Sequence, residues 1–373
     1  MAKASFSADD HRHMARALQL AARGLYTTDP NPRVGCVLVR GGEVVGEGWH
    51  ERAGEPHAEI HALRAAGGQA RGATAYVSLE PCAHHGRTPP CAEALIEAGV
   101  ARVVAAMEDP NPQVAGQGLR MLRGAGIEAE AGLLQAQAEA LNPGFVKRMR
   151  TGRPFVRCKL AMSLDGRTAM ASGESQWITG PAARADVHRL RARSSAMLTG
   201  IGTVLADDPS LDARLDTDEP VQQPLRVVLD SRLRLPVTAR MLSLPGRTIV
   251  CCAGGADPAR AGALQAAGAE VIELGAEPGR VSPTAVLDFL GREGVNEVMV
   301  EAGATLNGAL LAAGLIDELV VYLAPHLMGD AARGLFHLPG LEHMRERIGL
   351  TITDIRAVGQ DWRLTAGIQG PGA

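Results

Sequence analysis

His57, Glu59, Cys82 and Cys91 are residues whose types and spacing could carry out chemistry together. A catalytic zinc site takes three protein ligands, often imidazole nitrogen and cysteine thiolate, and keeps one position open for water. One histidine and two cysteines meet that requirement. Glu59, two residues after His57, cannot easily be a further ligand but can reach the water. The four residues therefore predict a catalytic zinc site in which Glu59 carries protons.

His57 and Cys91 each stand where the sequence predicts the start of a helix. Residues two apart on a helix point about 200° apart, so His57 and Glu59 can converge only beyond the amino-terminal end, toward which side chains lean. Pro56 marks that first start, and Cys91 opens a second short helix that stops at Gly99. Two helix N-termini directed at one metal would also favour thiolate over thiol.

The cysteine spacing departs from the general signature of zinc deaminases, which is His-x-Glu followed by Pro-Cys-x-x-Cys. Eight residues, instead of two, separate Cys82 from Cys91. A structural zinc site is therefore an alternative. Its fourth ligand would come from one of three histidines, His61, His84 or His85. The sequence favours the catalytic site, because a structural site has no use for Glu59.

The composition is that of a globular protein, with 46% hydrophobic and 21% charged residues, and 373 residues suffice for two or three domains. A formal net charge of −3 argues against a general nucleic-acid or membrane-surface binder. Six cysteines in so long a chain do not make a disulfide scaffold. Residues 1–14 contain no apolar signal segment and no apolar run is long enough to span a membrane, so we expect a cytoplasmic protein.

Strands alternate with helices along the whole chain, which predicts an α/β fold. A basic, turn-forming run over residues 147–154 separates two such blocks. We therefore predict a first domain over residues 1–146, a linker over 147–154 and a second domain over 155–373.

Two glycine turns in the second block are suited to phosphate groups. Gly200-Ile201-Gly202 follows a predicted strand, and Gly303 follows another strand and opens a helix. Helix starts of this kind bind anions through oriented N–H groups. Neither turn is a Rossmann fingerprint, because Leu205 stands where a third glycine would be. Together they indicate a dinucleotide site, although each alone is equally typical of ordinary packing.

Arginines on the helix after residues 179–181, with Arg214 in a later loop, could clamp a substrate phosphate. The alternative for any one helix arginine is a solvated surface. Trp177 lies in a Gly/Ser-rich loop, where it could stack on a flat ring or fill a core.

With both blocks considered, the sequence resembles the bifunctional riboflavin-biosynthesis deaminase–reductase family over residues 8–367. In the first half the resemblance rests on residues 31–35, 54–59 and 79–91, and the long cysteine spacing is the one that this family uses. In the second half it rests on residues 159–167, 175–179, 202–209 and 301–306.

This resemblance implies an N-terminal cytidine-deaminase-like α/β/α sandwich and a C-terminal dihydrofolate-reductase-like α/β domain. The first domain would use Zn²⁺ to deaminate 2,5-diamino-6-(5-phosphoribosylamino)pyrimidin-4-one. The second would use NADPH to reduce the ribosyl group, giving 5-amino-6-(5-phosphoribitylamino)uracil. The partner is thus a small phosphorylated pyrimidine, with no nucleic acid and no membrane, and a homo-oligomer (dimer or tetramer) is expected.

The resemblance also implies roles for individual residues. Zinc would be held by His57, Cys82 and Cys91, with Glu59 as the catalytic residue. The cofactor residues would be Ala161, Trp177, Thr203, Asp207, Ser231, Gly303, Ala304, Thr305, Leu306 and Asn307. The substrate residues would be Ser175, Arg191, Leu211, Arg214 and Glu301.

Two other interpretations stay open. One is a nucleoside or tRNA adenosine deaminase fused to an unrelated domain, which ammonia release from those substrates would support. The other is a non-catalytic zinc module on an NADPH-binding protein, which a metal-replete chain without deaminase activity would support.

Overall fold

The computed structural model describes residues 6–83, 89–216, 221–277 and 279–369. The chain is divided into two compact units, Met1–Gly152 and Arg153–Ala373. In the described residues, no helix combines the length and the apolar character needed to cross a membrane.

The first unit is built on a five-stranded sheet. Its strands are β1 Gly35–Arg40, β2 Glu43–Trp49, β3 Thr74–Val77, β4 Arg102–Ala105 and β5 Glu128–Ala131. Its helices are α1 Ala8–Ala21, α2 Ala58–Ala66, α3 Cys91–Ala98, α4 Gln117–Gly124, α5 Gln135–Leu141 and α6 Pro143–Thr151, with 3₁₀ turns at Ala22–Gly24 and Gly67–Ala70. The strand order is β2-β1-β3-β4-β5, with β1 antiparallel to both neighbours and β3, β4 and β5 parallel.

Glycines allow helices to pack closely on both faces of this sheet. A Cβ on Gly35 would lie 2.0 Å from the carbonyl oxygen of Ala17 in α1, and one on Gly48 would lie 2.4 Å from that of Ala58 in α2. Gly48 pairs with Cys36, the next residue after Gly35, and successive residues of a strand face opposite sides. Helices α1 and α2 therefore cover opposite faces, which gives the predicted α/β/α layering and fixes the start of α2 against the sheet.

The second unit is built on a nine-stranded sheet. Its strands are β6 Phe155–Ser163, β8 Ala196–Gly200, β9 Leu225–Leu229, β10 Thr248–Cys252, β11 Glu270–Glu273, β14 Glu297–Val300, β15 Glu318–Ala324, β17 Leu350–Val358 and β18 Asp361–Ile368. Two small ribbons pair β7 Arg167–Ala169 with β16 Arg333–Gly334, and β12 Gly275–Glu277 with β13 Arg280–Val281. The helices are α7 Pro181–Arg193, α8 Ile201–Asp207, α9 Pro258–Ala266, α10 Pro283–Arg292 and α11 Ala304–Ala312, with 3₁₀ turns at Arg240–Leu242 and Met344–Glu346.

The order of the large sheet is β11-β10-β9-β8-β14-β6-β15-β18-β17. Pairing is parallel from β11 to β15, and only β18 and β17 are antiparallel to their neighbours. Neighbouring residues of one strand, such as Met197 and Leu198, belong to different hydrophobic cores. The parallel strands inside the sheet are therefore buried on both faces, as sheets covered by helices on each side are, whereas the edge strand β11 is partly exposed.

Residues 147–151 do not form the turn that the sequence predicted. They are the second half of α6, which begins with Pro143, ends with Thr151 and is capped by Gly152, where φ is 76°. Pro143 suits the first helical position, and Val146 packs into the core of the first unit. Hydrophobic contacts thus extend a helix into the basic run, and the two units divide directly after its Gly152 cap.

Candidate active sites

The first unit brings His57, Cys82 and Cys91 together. His57 caps the start of α2, Cys91 is the first residue of α3, and Cys82 lies in the loop that follows β3. The Nδ1 atom of His57 is 3.2 Å from Sγ of Cys91 and 3.7 Å from Sγ of Cys82. All three candidate ligand atoms lie within 4.8 Å of one another. The sequence thus correctly placed both outer residues at helix starts.

The electrostatics of this cluster favour a cation. Two hydrogen bonds lower the pKa of the Cys82 thiol to about 4: the larger effect comes from the Cys91 thiol and the smaller one from His57. The backbone N–H of Cys91 also donates to the Cys82 sulfur at 3.3 Å. The pKa of Cys91 is raised, because its thiol donates a hydrogen bond to Cys82 and is buried. A cation in place of the Cys91 proton would hold both sulfurs as thiolates, the form that binds metals.

Glu59 lies in the first turn of α2 beside this cluster. Only 3% of the residue is exposed, and within the described part of the chain its Oε2 atom has no hydrogen-bond partner. Burial raises the pKa of its carboxyl group to about 7. A buried carboxyl oxygen without a partner is costly, so the position of Oε2 points to a group that arrives with the metal or the substrate.

A pocket of about 260 Å³ opens onto His57, Glu59 and Cys82. Its wall includes polar residues to which the sequence analysis gave no role: Asn31, His50, Glu80, Asp109 and Asn111. The His50 ring lies 3.0 Å from the amide nitrogen of Asn31 and 3.1 Å from the carbonyl oxygen of Pro56. The carbonyl can only accept and the amide nitrogen can only donate, so His50 is neutral with its proton on Nδ1.

Glu80 anchors one wall of the same pocket. Its buried carboxylate accepts backbone N–H groups from Asp109 at 3.0 Å, Gly116 at 2.8 Å and Leu119 at 3.2 Å. Gly116 caps α4 and Leu119 lies in the first turn of that helix. Glu80 therefore fastens the loop between β4 and α4 to the segment that carries Cys82. The only sequence signal for this role was its place in the Glu80-Pro81-Cys82 motif.

The second unit contains a cleft of about 1410 Å³ beside the carboxyl ends of β6, β8, β9 and β14. Ligands of open α/β sheets bind at this edge. Both glycine turns line the cleft, with Gly200 capping α8 and Gly303 capping α11. Fourteen of the fifteen cofactor and substrate residues expected from the resemblance also line it: Ala161, Ser175, Trp177, Arg191, Thr203, Asp207, Leu211, Arg214, Ser231, Glu301, Gly303, Ala304, Thr305 and Leu306.

Asn307 is the exception, because it does not line the cleft. The residue is 1% exposed, and its amide nitrogen donates to the carbonyl oxygen of Ala302 at 2.9 Å. Its backbone N–H donates to Gly303. Asn307 thus stabilises the turn from its buried side, because the helical periodicity of α11 points the Asn307 side chain inward.

Arg191 and Glu301 form a two-pronged ion pair in the cleft wall. Nε and Nη2 of Arg191 lie 2.6 and 2.9 Å from the two carboxylate oxygens of Glu301. Lys159 adds a longer contact of 3.9 Å. Burial opposes ionisation of Glu301, yet the charges of Arg191 and Lys159 lower its pKa to about 2. Arg191 and Glu301, each of which was expected to bind the substrate, therefore form a single ion pair.

Arg214 and Trp177 lie in more open parts of the cleft. The Arg214 side chain is 67% exposed, and its Nε atom is 3.4 Å from Asp212. Trp177 is 71% exposed, and the guanidinium of Arg184 lies 4.6 Å from its ring centroid. The exposed Trp177 ring does not fill the hydrophobic core. Its exposure favours the alternative interpretation, in which the ring stacks on a flat ligand.

Comparisons with known proteins agree with both sites. The family model described as "RibD C-terminal domain" matches residues 154–364, and the one described as "Cytidine and deoxycytidylate deaminase zinc-binding region" matches residues 7–107. The chain is 54% identical to the riboflavin biosynthesis protein RibD of Escherichia coli K12, over 94% of this chain and 97% of that protein.

Two solved structures match almost the whole chain. The structure of Acinetobacter baumannii RibD is 49% identical, with a TM-score of 0.90 over 97% of this chain and 99% of that one. A Thermotoga maritima structure, described as a diaminohydroxyphosphoribosylaminopyrimidine deaminase/5-amino-6-(5-phosphoribosylamino)uracil reductase, is 32% identical, with a TM-score of 0.85 over the same shares.

These likenesses confirm the predicted fold class, the resemblance and the pairing of two activities. The predicted cofactors agree with a zinc-binding deaminase region followed by a reductase region. The chain belongs to the RibD family of riboflavin-biosynthesis proteins, in which it is a bifunctional deaminase and reductase.

Proposed function

We propose that the first unit deaminates 2,5-diamino-6-(5-phosphoribosylamino)pyrimidin-4-one and that the second reduces the product to 5-amino-6-(5-phosphoribitylamino)uracil. The observation that carries the proposal is the buried carboxyl group of Glu59, whose Oε2 atom has no hydrogen-bond partner among the described residues, beside the His57, Cys82 and Cys91 cluster. The description of the Thermotoga maritima relative supports the choice of substrate.

His57, Cys82 and Cys91 would hold zinc, and their one nitrogen and two sulfur atoms, all within 4.8 Å of one another, support that fit. A zinc ion there supplies Lewis-acid activation of water. Glu59 would take a proton from the attacking water and deliver it to the departing amine. The C–N bond then breaks and ammonia leaves, while the second water proton passes to a ring nitrogen as the carbonyl forms. A pKa near 7 suits a group that must both accept and release a proton near neutral pH.

In the second unit, NADPH would contact Ala161, Trp177, Thr203, Asp207, Ser231 and the turn from Gly303 to Leu306. NADPH supplies the hydride that reduces the ribosyl group. The N-termini of α8 and α11 direct N–H groups into the cleft, which supports binding of a pyrophosphate. Asn307 supports the turn without facing the cleft.

Ser175, Arg191, Leu211, Arg214 and Glu301 would bind the reductase substrate. Glu301 stays ionised and is held in one orientation by Arg191. A fixed carboxylate can accept hydrogen bonds from ribosyl hydroxyl groups, whereas Arg214 carries an exposed positive charge suited to the phosphate.

We further propose that the two units are separate domains joined at Gly152 and Arg153, and that the protein acts in the cytoplasm on a small molecule and not on nucleic acid. The division of contacts at that point supports the boundary. Six free cysteines suit a reducing compartment, and a net charge of −3 gives no general attraction for nucleic acid.

We also propose a homo-oligomer in which a second copy covers the edge of the large sheet. Leu350, Ile352 and Ile355 of β17 lie on the same face as Trp362 of β18, and all four are at least 43% exposed. A continuous apolar row of this kind typically marks an interface.

One assay tests the proposed function. The full chain is loaded with zinc and given the phosphoribosylated diaminopyrimidine, and ammonia release and NADPH consumption are scored separately. We expect ammonia without NADPH, and NADPH consumption only after deamination. Ammonia release from adenosine or tRNA but not from this substrate would instead favour a nucleoside or tRNA deaminase.

A further inference from the structure

His188 and Arg214 oppose each other at the wall of the reductase cleft. His188 lies on α7, three residues before Arg191, and both His188 and Arg214 line the cleft. The backbone N–H of Arg214 is 3.2 Å from Nδ1 of His188, and the Arg214 Nη2 atom is 3.3 Å from Nε2 of the same ring. One arginine therefore approaches both ring nitrogens.

These two contacts cannot both be hydrogen bonds. A backbone N–H and a guanidinium only donate, whereas a neutral imidazole has one accepting nitrogen and an imidazolium has none. The backbone N–H is fixed by the chain and can donate only to Nδ1, while the guanidinium can rotate away. Nε2 therefore carries the ring proton, and it points that proton at another donor.

The surroundings keep the ring neutral. Burial, followed by the positive charges of Arg191 and Arg214, lowers the pKa of His188, against the opposing effect of Asp212 and Glu301. The Nε2–H group and the Arg214 guanidinium are then two donors that face each other. An anionic oxygen between them would accept from both and relieve the conflict.

We propose that His188 is a phosphate-binding residue of the reductase site, in which a phosphate oxygen of the substrate lies between Nε2 of His188 and Nη2 of Arg214. This assignment rests on the proposed reductase function. Nε and Nη2 of Arg191 are already bonded to Glu301, so Arg191 attracts the phosphate by its positive charge and not through these two atoms. Asp212, 3.4 Å from Nε of Arg214, orients the far edge of that guanidinium.

A neutral donor beside the exposed Arg214 would allow this site to select a phosphate ester. A surface arginine alone loses much of its attraction to solvent screening. The half-buried His188 donor is held rigidly by a helix and by the Arg214 backbone, so it fixes where the phosphate lies. Selection would then depend on a neutral donor as well as on charge.

Two substitutions separate the roles of the ring nitrogens. In His188→Asn the amide oxygen can still accept the Arg214 N–H, but no donor remains near Nε2. In His188→Gln the longer side chain places an amide N–H close to the Nε2 position. His326→Asn, at an exposed histidine that does not line the cleft, is the matched control.

The full chain is assayed for NADPH consumption on the deaminated substrate with its phosphate and on the same compound without phosphate. Ribose 5-phosphate and ribose serve as competing probes. We expect His188→Asn to raise KM for the phosphorylated substrate, and the inhibition constant of ribose 5-phosphate, by about 10–100-fold, the effect of losing a hydrogen bond to a charged group. His188→Gln should recover much of this loss, and values for the unphosphorylated compounds should not change.

Equal losses on both substrates would show that His188 merely supports the loop and would overturn the proposal. So would wild-type behaviour of His188→Asn on the phosphorylated substrate. If the wild-type chain does not consume NADPH on that substrate, the proposed function itself fails, and ribose 5-phosphate binding still reports on the phosphate site.

Discussion

Carboxyl groups in both units have pKa values that differ from those of a glutamate in solvent. Burial raises the pKa of Glu59 to about 7, whereas neighbouring cations lower that of Glu301 to about 2. One carboxyl group is thus suited to exchanging protons and the other to remaining ionised. This difference supports the proposed roles of Glu59 in proton transfer and of Glu301 in substrate contact.

Replacing Glu59 by glutamine should leave zinc binding intact and slow ammonia release by about 10²–10⁴-fold, because the amide cannot carry the proton. Metal content is measured by atomic absorption and ammonia by a coupled assay. Exposed Glu97→Gln is the control, and NADPH consumption on deaminated substrate should be normal in both variants. Deamination near the wild-type rate in metal-replete Glu59→Gln would exclude this role.

Replacing Arg191 by methionine should make reduction sensitive to pH. In the wild type, Arg191 keeps the pKa of Glu301 below its ordinary 4.5, so Glu301 remains ionised down to about pH 2. Without Arg191, burial raises that pKa and protonation begins at a higher pH. The rate of NADPH consumption by Arg191→Met should therefore fall on acidification while the wild-type rate is still constant.

The pH profile is compared with that of Arg189→Met, an exposed arginine on the same helix. Breaking a buried ion pair typically costs about 3–5 kcal/mol of folding free energy, so folding is checked by circular dichroism at each pH. A profile with the wild-type shape in folded Arg191→Met would contradict the assigned pairing.

The sequence predicted the zinc cluster better than it predicted these pairings. His57 and Glu59 lie in one short motif, and helix-start signals show where His57 and Cys91 point. Arg191 and Glu301 are 110 residues apart, and each alone looks like an ordinary charged residue. Their contact depends on α7 packing beside the end of β14, and no local pattern encodes that register.

At the scale of elements, the loop between β4 and α4 depends on a residue outside it. Replacing Glu80 by glutamine leaves one accepting oxygen for three N–H groups and directs an NH₂ group at a donor. We expect KM for the diaminopyrimidine to rise by about 10–100-fold through the loosened loop, with zinc content unchanged. Glu80→Asp, which keeps the charge, should recover part of the loss.

Exposed Glu108→Gln, which changes a carboxylate next to the same loop, is the control. Loss of zinc from Glu80→Gln would mean that Glu80 supports the Cys82 segment instead.

The sequence did not predict this role of Glu80, and the reason is physical. The partners lie 29 to 39 residues from Glu80, and they meet it because β3 and β4 are parallel neighbours.

The sequence also did not predict the extent of α6 or the orientation of Asn307. A basic, Gly- and Pro-flanked run is typical of a linker, but hydrophobic contacts of Val146 outweighed that composition. Asn307 shares a motif with residues that face the cleft, yet helical periodicity points it inward. Composition and motif membership do not determine which way a side chain faces.

The apolar face of β17 and β18 gives a prediction at the same scale. Ile355→Lys places a charge in the row formed by Leu350, Ile352 and Trp362, and it should convert the oligomer to a smaller species. Analytical ultracentrifugation at micromolar concentration measures the change. Thr351→Lys adds the same charge on the opposite face of β17 and should leave the assembly intact. A wild-type protein that is monomeric under these conditions would refute the interface.

At the scale of the whole molecule, each unit contains all the residues proposed for one reaction. A cut after Gly152 should give two fragments that fold separately. Residues 1–152 should bind zinc and release ammonia without NADPH, and residues 153–373 should consume NADPH on deaminated substrate in the presence of a chelator. A folded second fragment that is inactive until the first is added back would show that its site requires both units.

The placement of the zinc cluster has a consequence for the order of events during synthesis. Its three ligands come from separate segments and approach within 4.8 Å only when α2 and α3 are seated on the first sheet. An unfolded nascent chain therefore presents isolated thiols, not a preformed chelate. The last ligand, Cys91, and the rest of its unit are synthesised before Arg153–Ala373, so the first unit emerges from the ribosome while the second is still being made. We expect metal capture to be co-translational and limited by folding of the first unit, so that the reductase half emerges behind a deaminase already charged with zinc.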